Sequence, residues 1–262
     1  MNASDPDVLP QERQQRILEQ LRRNGRVIAS ELAAAFGVSE DSIRRDLREM
    51  ASQGLCRRVY GGALLPTPQF DALPARIDRS DDGRVALAVR AASLIQPGQV
   101  VLLDAGSTNV EVARALRGKA VTVVTNAPAI AEILGGEHAT EVVMIGGRID
   151  PVSGGAIGAI AVQQLDQLQA DVCLPGTCAV DPETGIWGIN AEESAFKQAM
   201  IRASGVVVIV ATDAKIGARA SFRIAGIDQV DHLVVADSVP AAMLERFALD
   251  SLHVHPVSVG PV

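Results

Sequence analysis

The stretch SEDSIRRDLREM, residues 39–50, decides how the first part of the chain is interpreted. Its apolar residues recur at i, i+4 and i+7, which is the spacing of a helix face that packs inward: Ile43, Leu47 and Met50. Arg45 and Arg48 point away from that face, and Ser39 is a typical N-cap. Arginine can hold guanine O6 and N7 with two hydrogen bonds and can also neutralise phosphate. The stretch is therefore either a helix that reads a DNA groove or a solvated surface helix, and its neighbours distinguish the two.

The neighbouring segments predict a winged helix-turn-helix. Helices are expected at residues 11–24 and 30–36, with a short strand at 26–28 between them. Gly37 and Val38 form a tight turn into the Ser39 cap, so two short helices meet at a glycine-containing turn. Residues 55–64 predict a hairpin wing whose tip glycines permit positive φ, with Arg57 and Arg58 placed near phosphate or the minor groove. A helical protein-interaction module is the alternative, and the placement of the arginines argues against it.

Net charge supports this interpretation only after it is divided along the chain. The total is −7, yet residues 1–65 carry 10 Arg, no Lys and 9 Asp or Glu, a balance of +1. The remaining 14 basic and 22 acidic side chains give −8, and the two parts sum to −7. Five arginines fall within fifteen residues: Arg44, Arg45, Arg48, Arg57 and Arg58. Local clustering of this kind is the electrostatic signature that matters for DNA binding.

The motifs S-x-x-S-I-R-R-D-L at 39–47 and R-x-x-G-G-A at 58–63 resemble the DeoR family of bacterial transcription regulators. The similarity extends from residue 14 through the wing, and its core motif is highly specific. It implies operator contacts by one group of recognition-helix residues: Ser39, Ser42, Arg44, Arg45 and Arg48. It also implies wing contacts by Arg57, Arg58 and Gly61. Asp46 is interpreted as a structural ion-pair partner instead of a base reader.

Beyond residue 100 the pattern changes to apolar, β-branched runs separated by helical stretches. These runs lie at residues 100–103, 121–124, 142–145, 172–174, 206–210 and 233–236. Continuous runs of this kind are typical of parallel strands that are buried on both faces. The sequence therefore predicts a Rossmann-like α/β domain with a mainly parallel sheet, in which ligands bind at the carboxyl ends of the strands.

Polar loops follow four of these predicted strands. They contain the candidate effector-binding residues Asp104, Gly106, Ser107, Thr108, Thr125, Asn126, Gly146, Gly147, Asp213 and Lys215. Backbone N–H groups and hydroxyls at a helix start favour an anion such as phosphate. Carboxylate and amide groups in the same loops suggest a partner with hydroxyls. A phosphorylated sugar or polyol is therefore the expected effector, and solvent-facing turns without a ligand are the alternative.

This second region resembles the sensor domain of the same family, which is similar to ribose-5-phosphate isomerase and its relatives. The matching runs include D-x-G-S-T at 104–108, D-x-K-x-G at 213–217 and Glu192-Glu193 with Lys197. Three places depart from the family pattern. Cys178 stands where many members have a polar or acidic residue, and Trp187 stands where Thr or Ser is frequent. In the helix after the linker, Arg84-Val85 replaces the usual Lys followed by a small or polar residue.

Several other site classes are disfavoured. Neither G-x-G-x-x-G after a strand nor G-x-x-x-x-G-K-S/T occurs, so no dinucleotide or nucleoside triphosphate is expected, and no cofactor is predicted. The four histidines are scattered along the chain, and the three cysteines lack partners at zinc spacing. The thiols are interpreted as buried or idle in a reducing compartment. No run is long enough to cross a bilayer and the amino terminus is no signal peptide, so a cytoplasmic location without membrane contact is expected.

The sequence thus predicts a winged helix-turn-helix domain at 11–65, a linker at 66–80 and a sensor domain at 81–262. The linker is predicted from the stiffening prolines Pro66, Pro68 and Pro74. The preferred function is a transcription regulator, expected to be a repressor of carbohydrate metabolism genes, that binds double-stranded operator DNA and a phosphorylated sugar. One small winged domain binds weakly, so a homo-oligomer, dimer or tetramer, is expected. A sugar-phosphate isomerase with an accessory DNA-binding domain is the alternative, and a scaffold that only oligomerises is a third possibility.

Overall fold

The computed structural model describes residues 9–64, 71–78, 82–249 and 251–259. Their contacts divide the chain into two compact units, Met1–Pro68 and Gln69–Val262. None of the helices within these ranges is long and apolar enough to cross a membrane.

The first unit combines three helices with a small antiparallel sheet. Its elements in chain order are α1 (Pro10–Asn24), β1 (Arg26–Ile28), α2 (Ala29–Phe36), α3 (Glu40–Ser52), β2 (Arg57–Val59) and β3 (Gly62–Leu64). Strand β3 lies between β1 and β2. A single core joins all three helices, with Ile17, Leu32 and Ile43 fully or almost fully buried. This is the predicted winged helix-turn-helix.

The second unit is built on a seven-stranded sheet. Its helices are α4 (Leu73–Ile77), α5 (Asp82–Ser93), α6 (Ser107–Leu116), α7 (Pro128–Leu134), α8 (Ala159–Leu165), α9 (Ala191–Arg202) and α10 (Ala241–Leu244). Its strands are β4 (Val100–Leu103), β5 (Thr122–Thr125), β6 (Glu141–Met144), β7 (Arg148–Ile149), β8 (Ala156–Ile157), β9 (Ala170–Leu174), β10 (Ala179–Asp181), β11 (Gly185–Gly188), β12 (Ser204–Ala211), β13 (Phe222–Ala225), β14 (His232–Ala236) and β15 (His253–Val257). Short 3-10 helices occur at Asp213–Lys215, Ile227–Gln229 and Glu245–Phe247.

The large sheet has the strand order β15-β14-β12-β9-β4-β5-β6, and every neighbouring pair is parallel. Helices α5, α6 and α7 cover one face through a cluster that includes Leu87, Val112 and Ile130. Helices α8 and α9 cover the other face together with the small antiparallel sheet β10-β11-β13, and Phe196 and Ile186 belong to that cluster. Burial on both faces explains why the inner strands of the sheet are continuously apolar, whereas the edge strands β6 and β15 are more exposed.

The predicted linker needs a correction. Within the span 66–80, residues 66–70 and 79–80 lie outside the described part of the chain, but residues 73–77 form helix α4. Leu73 is buried, and its N–H donates to the carbonyl of Val152 at 2.9 Å. Pro74 lies in the first turn of α4, where proline is well tolerated. The proline that suggested a stiff linker instead helps to start a helix that packs on the second unit.

Candidate functional site

Helix α3 is fixed at its amino end by the predicted cap. The N–H of Ser42 donates to Oγ of Ser39 at 3.2 Å, and the two hydroxyl oxygens are 3.0 Å apart. Ile43, Leu47 and Met50 are buried as their spacing predicted. The opposite face of α3 is exposed, so the arginines of this helix point to solvent.

Asp46 is a structural ion-pair partner, as expected, and its partner lies in another helix. Nε of Arg13, on α1, is 2.6 Å from Oδ2 of Asp46, and both side chains are at least nine-tenths buried. Gln14 on α1 also donates to Glu49 of α3 at 2.9 Å. These contacts set the position of α3 against α1 and therefore the direction in which its exposed face points.

The exposed arginines of α3 differ in their surroundings. The guanidinium of Arg44 pairs within the helix, at 2.8 Å from Glu40 and 3.2 Å from Asp41. Within the described ranges Arg45 and Arg48 form no ion pair or hydrogen bond. The side chain of an arginine without a protein partner has all its donors available to a ligand, whereas the guanidinium of Arg44 is already engaged by two carboxylates.

The wing presents the remaining candidate residues. Arg57 and Arg58 are exposed on β2, and because side chains alternate along a strand they project to opposite faces. Gly61 has φ of 80°, the left-handed conformation that glycine adopts readily. Tyr60, at the tip, has a relative exposure of 108%. This tyrosine is an additional candidate contact that sequence reasoning did not select.

A groove lies between α3 and the wing. Its lining includes Glu40, Arg44, Arg58, Tyr60 and Gly61. The structure thus brings together three of the predicted DNA contacts. The other five lie outside the lining, at the amino end of α3, along its outer face or at the start of the wing: Ser39, Ser42, Arg45, Arg48 and Arg57.

The second candidate site lies where the order of the large sheet reverses. Strands β5 and β6 continue on one side of β4, and β9 and β12 lie on its other side. The side-chain amide of Asn109 donates to the carbonyls of Asp104 and Leu174, at 2.9 and 2.7 Å, and so joins the ends of β4 and β9. Such a switch point is where open α/β sheets bind ligands.

A pocket opens at this point, lined by the loops after β4, β9 and β12 and by helices α4 and α9. Its lining consists of Arg76, Ala105, Gly106, Ser107, Thr108, Asn109, Pro175, Gly176, Thr177, Cys178, Glu193, Lys197, Val210 and Lys215. Its volume is about 40 Å³. Since one water needs roughly 10–15 Å³ on this measure, the pocket holds a group the size of a few waters.

The amino end of α6 faces this pocket. Gly106 is the N-cap, and no side chain caps the helix. The first N–H groups of the helix, at Ser107 and Thr108, are therefore oriented as in anion sites at helix amino ends. Two hydroxyls in the same turn add further hydrogen-bonding groups.

A buried charge cluster forms the base of the pocket. Nζ of Lys197 is 2.5 Å from Glu193 and 3.4 Å from Asp104, and the Lys197 side chain is 2% exposed. Burial alone would lower the pKa of Lys197, but the carboxylates of Glu193 and Asp104 raise it above the usual value. Burial raises the pKa of Asp104, although Lys197 opposes this shift. Asp104 accepts a hydrogen bond from the Gly176 N–H at 2.8 Å, whereas its Oδ1 has no hydrogen-bond partner.

Lys215 approaches from the loop after β12. Desolvation by the surrounding residues, together with the cations Lys197, Arg76 and Arg84, lowers the pKa of Lys215 to about 8. A cation whose charged form is destabilised by its neighbours gains from the arrival of an anion. The pocket wall therefore carries more positive than negative charge.

Four of the ten predicted effector residues line the pocket: Gly106, Ser107, Thr108 and Lys215. The other six lie outside the lining: Asp104, Thr125, Asn126, Gly146, Gly147 and Asp213. Asp104 lies behind Gly176, where it contacts Lys197. Direct contact of any of the ten with an effector stays a prediction.

The residues outside the lining are engaged elsewhere. Asn126 accepts from the Ala105 N–H at 3.1 Å and so supports the loop that leads into α6. Thr125 donates to the carbonyl of Leu103 at 2.6 Å. Gly146 exchanges hydrogen bonds with Gln164, and Gly147 packs close to Ile157. The exposed carboxylate of Asp213 accepts from Ser238.

Sequence reasoning did not select several lining residues as effector contacts. Glu193 and Lys197 have the i, i+4 spacing of an ordinary surface pair, and only their burial on α9 distinguishes them. Arg76 fell in the expected linker, so nothing local connected it with a pocket. Trp187 is not in the lining, and its indole N–H donates to Thr184 at 3.1 Å.

The cysteines lie in different parts of the fold, whereas three of the four histidines lie together. Cys56 and Cys173 are buried, and half-buried Cys178 lines the pocket, where burial raises its pKa. Three of the histidines expected to be scattered meet at the edge of the sheet, since β14 and β15 bring together His232, His253 and His255. Within the described ranges no group of three or more His, Cys, Asp or Glu residues is arranged to hold a metal ion.

Known families match both units. The DeoR-like helix-turn-helix domain matches residues 13–69, and the DeoR C terminal sensor domain matches residues 80–237. The HTH-type transcriptional regulator GlpR of Haloferax volcanii is 33% identical, over 91% of this chain and 94% of its own length. The glycerol-3-phosphate regulon repressor of Escherichia coli K12 is 28% identical, over 87% of this chain and 92% of its own length.

Among solved structures, ribose 5 phosphate isomerase A from Neisseria gonorrhoeae aligns with a TM-score of 0.38 and 18% identity, over 53% of each chain, which is too distant to bear on function. The family matches cover a DNA-binding module and a sensor module in one polypeptide. The chain belongs to the DeoR family and is a DNA-binding transcription regulator.

Proposed function

We propose that this protein represses carbohydrate metabolism genes and that a small phosphorylated sugar, bound in the pocket at the carboxyl ends of β4, β9 and β12, controls its binding to the operator. The observation that carries the proposal is the meeting of an uncapped helix amino end with Lys215 at the switch point of the sheet. Both features favour an anion, and they come from different parts of the chain.

The composition of the pocket wall supports a phosphate together with hydroxyls. The cations Arg76, Lys197 and Lys215 outnumber the single lining carboxylate, Glu193, which is already paired with Lys197. The hydroxyls of Ser107 and Thr108 can accept from or donate to a phosphate or a sugar hydroxyl. A repressor named for the glycerol-3-phosphate regulon is among the relatives, and this agrees with a small phosphorylated polyol or sugar as the ligand class.

On the DNA side, we propose that α3 enters the major groove and that the wing contacts the backbone or the minor groove. Arg45 and Arg48 are the proposed base or phosphate contacts on α3, together with Arg44 after it leaves Glu40 and Asp41. The exposed Arg57 and Arg58 are proposed to neutralise phosphates. Two copies of the chain would place two such readers on two operator half-sites, so a homo-oligomer is part of the proposal.

The alternative of an isomerase is less well supported. An isomerase requires a poised base and an electrophile beside the substrate, and Glu193 is held by Lys197 at 2.5 Å. The attached DNA-binding module and the repressor relatives favour a binding role for the pocket. Turnover of ribose 5-phosphate by the purified protein would contradict this conclusion.

Isothermal titration calorimetry tests the ligand class. Ribose 5-phosphate, glucose 6-phosphate, glycerol 3-phosphate and inorganic phosphate would each be titrated into the full-length protein, with the unphosphorylated sugars as controls. The proposal expects one phosphorylated compound to bind at least about tenfold more tightly than its unphosphorylated counterpart, because charge-assisted contacts are lost with the phosphate. The Lys215→Gln variant should remove most of that preference. Equal binding of the phosphorylated and unphosphorylated forms would contradict it.

A further inference from the structure

Helix α4 connects the pocket with the part of the chain that leads from the DNA-binding unit. It is the first described element after β3, and it contributes Arg76 to the pocket lining. The other lining residues belong to the sheet, to the loops at its strand ends or to helices α6 and α9 that pack on it. Arg76 is therefore a pocket residue carried by an element outside the framework of the α/β fold.

Helix α4 is attached to the second unit through the loop around Val152, through Arg84 of α5 and through Ile77, which packs against the apolar cluster on one face of the large sheet. The N–H of Leu73 donates to the Val152 carbonyl at 2.9 Å, and the Arg76 guanidinium donates to the same carbonyl at 3.3 Å. The Leu73 side chain packs on Gly154, where a Cβ would come within 2.7 Å of it. Arg84, in α5, donates to the Arg76 carbonyl at 2.8 Å.

The charge around Arg76 matches an incoming anion. Burial lowers the pKa of Arg76, with Glu193 opposing the shift, and Lys215 lies close enough for Arg76 to lower the pKa of that lysine. Two neighbouring cations that destabilise each other are both stabilised when a phosphate arrives between them. The pocket volume of about 40 Å³ is smaller than a whole sugar phosphate, so part of the ligand must extend beyond the pocket or displace some of its lining.

We propose that Arg76 binds the anionic group of the effector and that helix α4 thereby transmits the occupancy of the pocket to the DNA-binding unit. This proposal rests on the proposed function, because it assumes an anionic effector in the same pocket. A ligand changes an equilibrium only through contacts that differ between two states, and a contact carried by α4 provides such a difference. Pocket residues on other elements, such as Ser107 at the start of α6, can supply affinity without transmitting the signal.

The test separates binding from transmission in the full-length protein. The probe is whichever of ribose 5-phosphate, glucose 6-phosphate, glycerol 3-phosphate or inorganic phosphate binds the wild type most tightly. Three quantities are measured: probe affinity, hydrogen exchange of residues 73–77, and operator affinity at saturating probe. The variants are Arg76→Ala, Arg76→Lys and Lys215→Gln, with Arg117→Ala as a matched control, because Arg117 pairs with Glu137 on the surface at 2.9 Å.

Arg76→Ala and Lys215→Gln should each weaken probe binding about tenfold to a hundredfold. At saturating probe, Lys215→Gln should recover the wild-type changes in α4 exchange and operator affinity, whereas Arg76→Ala should show neither. Arg76→Lys should retain part of the change in α4 exchange and part of the change in operator affinity. This variant controls for a folding defect in Arg76→Ala. Arg117→Ala should match the wild type.

A saturated Arg76→Ala protein that responds like the wild type would overturn the role of α4 and leave the proposed function intact. A different pattern, in which no probe alters the operator affinity of the wild type, would contradict the proposed function itself.

Discussion

Arg13 of α1 and Asp46 of α3 form a buried ion pair, with 2.6 Å between Nε and Oδ2. Asp46 belongs to the motif that identifies the recognition helix, yet its carboxylate faces the interior of the domain. The pair therefore sets the orientation of α3, and the exposed arginines depend on it for their direction. We therefore expect a change in this contact to affect both the stability of the unit and its binding to DNA.

Asp46→Asn should destabilise the DNA-binding unit by about 3–5 kcal/mol, because it removes the negative charge that pairs with the buried guanidinium of Arg13. Hydrogen exchange of the α1 and α3 amides would measure the loss. Glu12→Gln is a matched control, since it breaks the exposed pair with Arg16 and should cost less than about 1 kcal/mol. Equal effects of the two substitutions would show that the buried pair does not position α3.

Ser39 has two separable roles, as the cap of α3 and as a proposed DNA contact. Ser39→Ala should cost about 1 kcal/mol of stability and also weaken operator binding. Ser39→Asp keeps a capping oxygen, so stability should remain near that of the wild type, while the added negative charge should still weaken operator binding. If Ser39→Asp binds the operator as well as the wild type does, Ser39 does not lie against the DNA.

Alanine variants of the α3 arginines and of the wing arginines should differ in how they weaken DNA binding. Arg45→Ala or Arg48→Ala should lower operator affinity by about 1–3 kcal/mol and relax sequence preference where the arginine reads a base. Arg57→Ala or Arg58→Ala should weaken binding to all sequences and reduce the logarithmic salt slope by about one. Fluorescence anisotropy with operator and scrambled DNA at several salt concentrations would distinguish them, with Arg16→Ala as the control. No change in either group would show that DNA binds elsewhere.

Effector affinity should fall as pH rises through about 8, the pKa of Lys215. The pKa is lowered from the usual value, so this lysine is charged below pH 8 and loses its charge above it. A phosphate monoester has its second pKa near about 6 and stays dianionic from pH 7 to 9. Above pH 8 the effector affinity should fall by no more than about tenfold per pH unit.

Calorimetric titrations from pH 7 to 9 would measure this dependence. Lys215→Gln should bind more weakly and with a flat profile over the same range. A wild-type affinity that is independent of pH, or a variant that keeps the wild-type slope, would show that Lys215 does not contact the anion.

Six of the seven strands of the large sheet were predictable from the sequence because each contains a continuous apolar run, whereas β15, with the sequence HVHPV, does not. The short strands were not predictable: β7 and β8 have two residues each, and β10 and β11 are too brief to show a period. Local signals also misplaced α4, since Pro74 suggests a linker until Leu73 is seen to be buried. Tertiary packing, which no local pattern reports, decides that segment.

Some residues of the candidate sites could also be predicted from the sequence, and others could not. The exposed arginines of α3 follow from helical periodicity, and Ser107, Thr108 and Lys215 follow from the rule that strand ends meet at one edge of a sheet. Arg76 could not be found, because its place in the pocket depends on how α4 packs. Asn126 was selected for its place at a strand end, but its side chain bridges Ala105 and Ala156 in support of the loop.

The central claim is that a phosphorylated sugar in the second unit controls operator binding by the first. Fluorescence anisotropy at fixed salt, with DNA from the region upstream of the protein's own gene, tests it most directly. The account predicts that one sugar phosphate changes operator affinity at least about fivefold, the lower range of measured coupling energies. The effect should be lost in Lys215→Gln at a ligand concentration that only half-saturates the wild type, and it should return when the variant is saturated. Tight operator binding that none of the sugar phosphates alters would contradict the account.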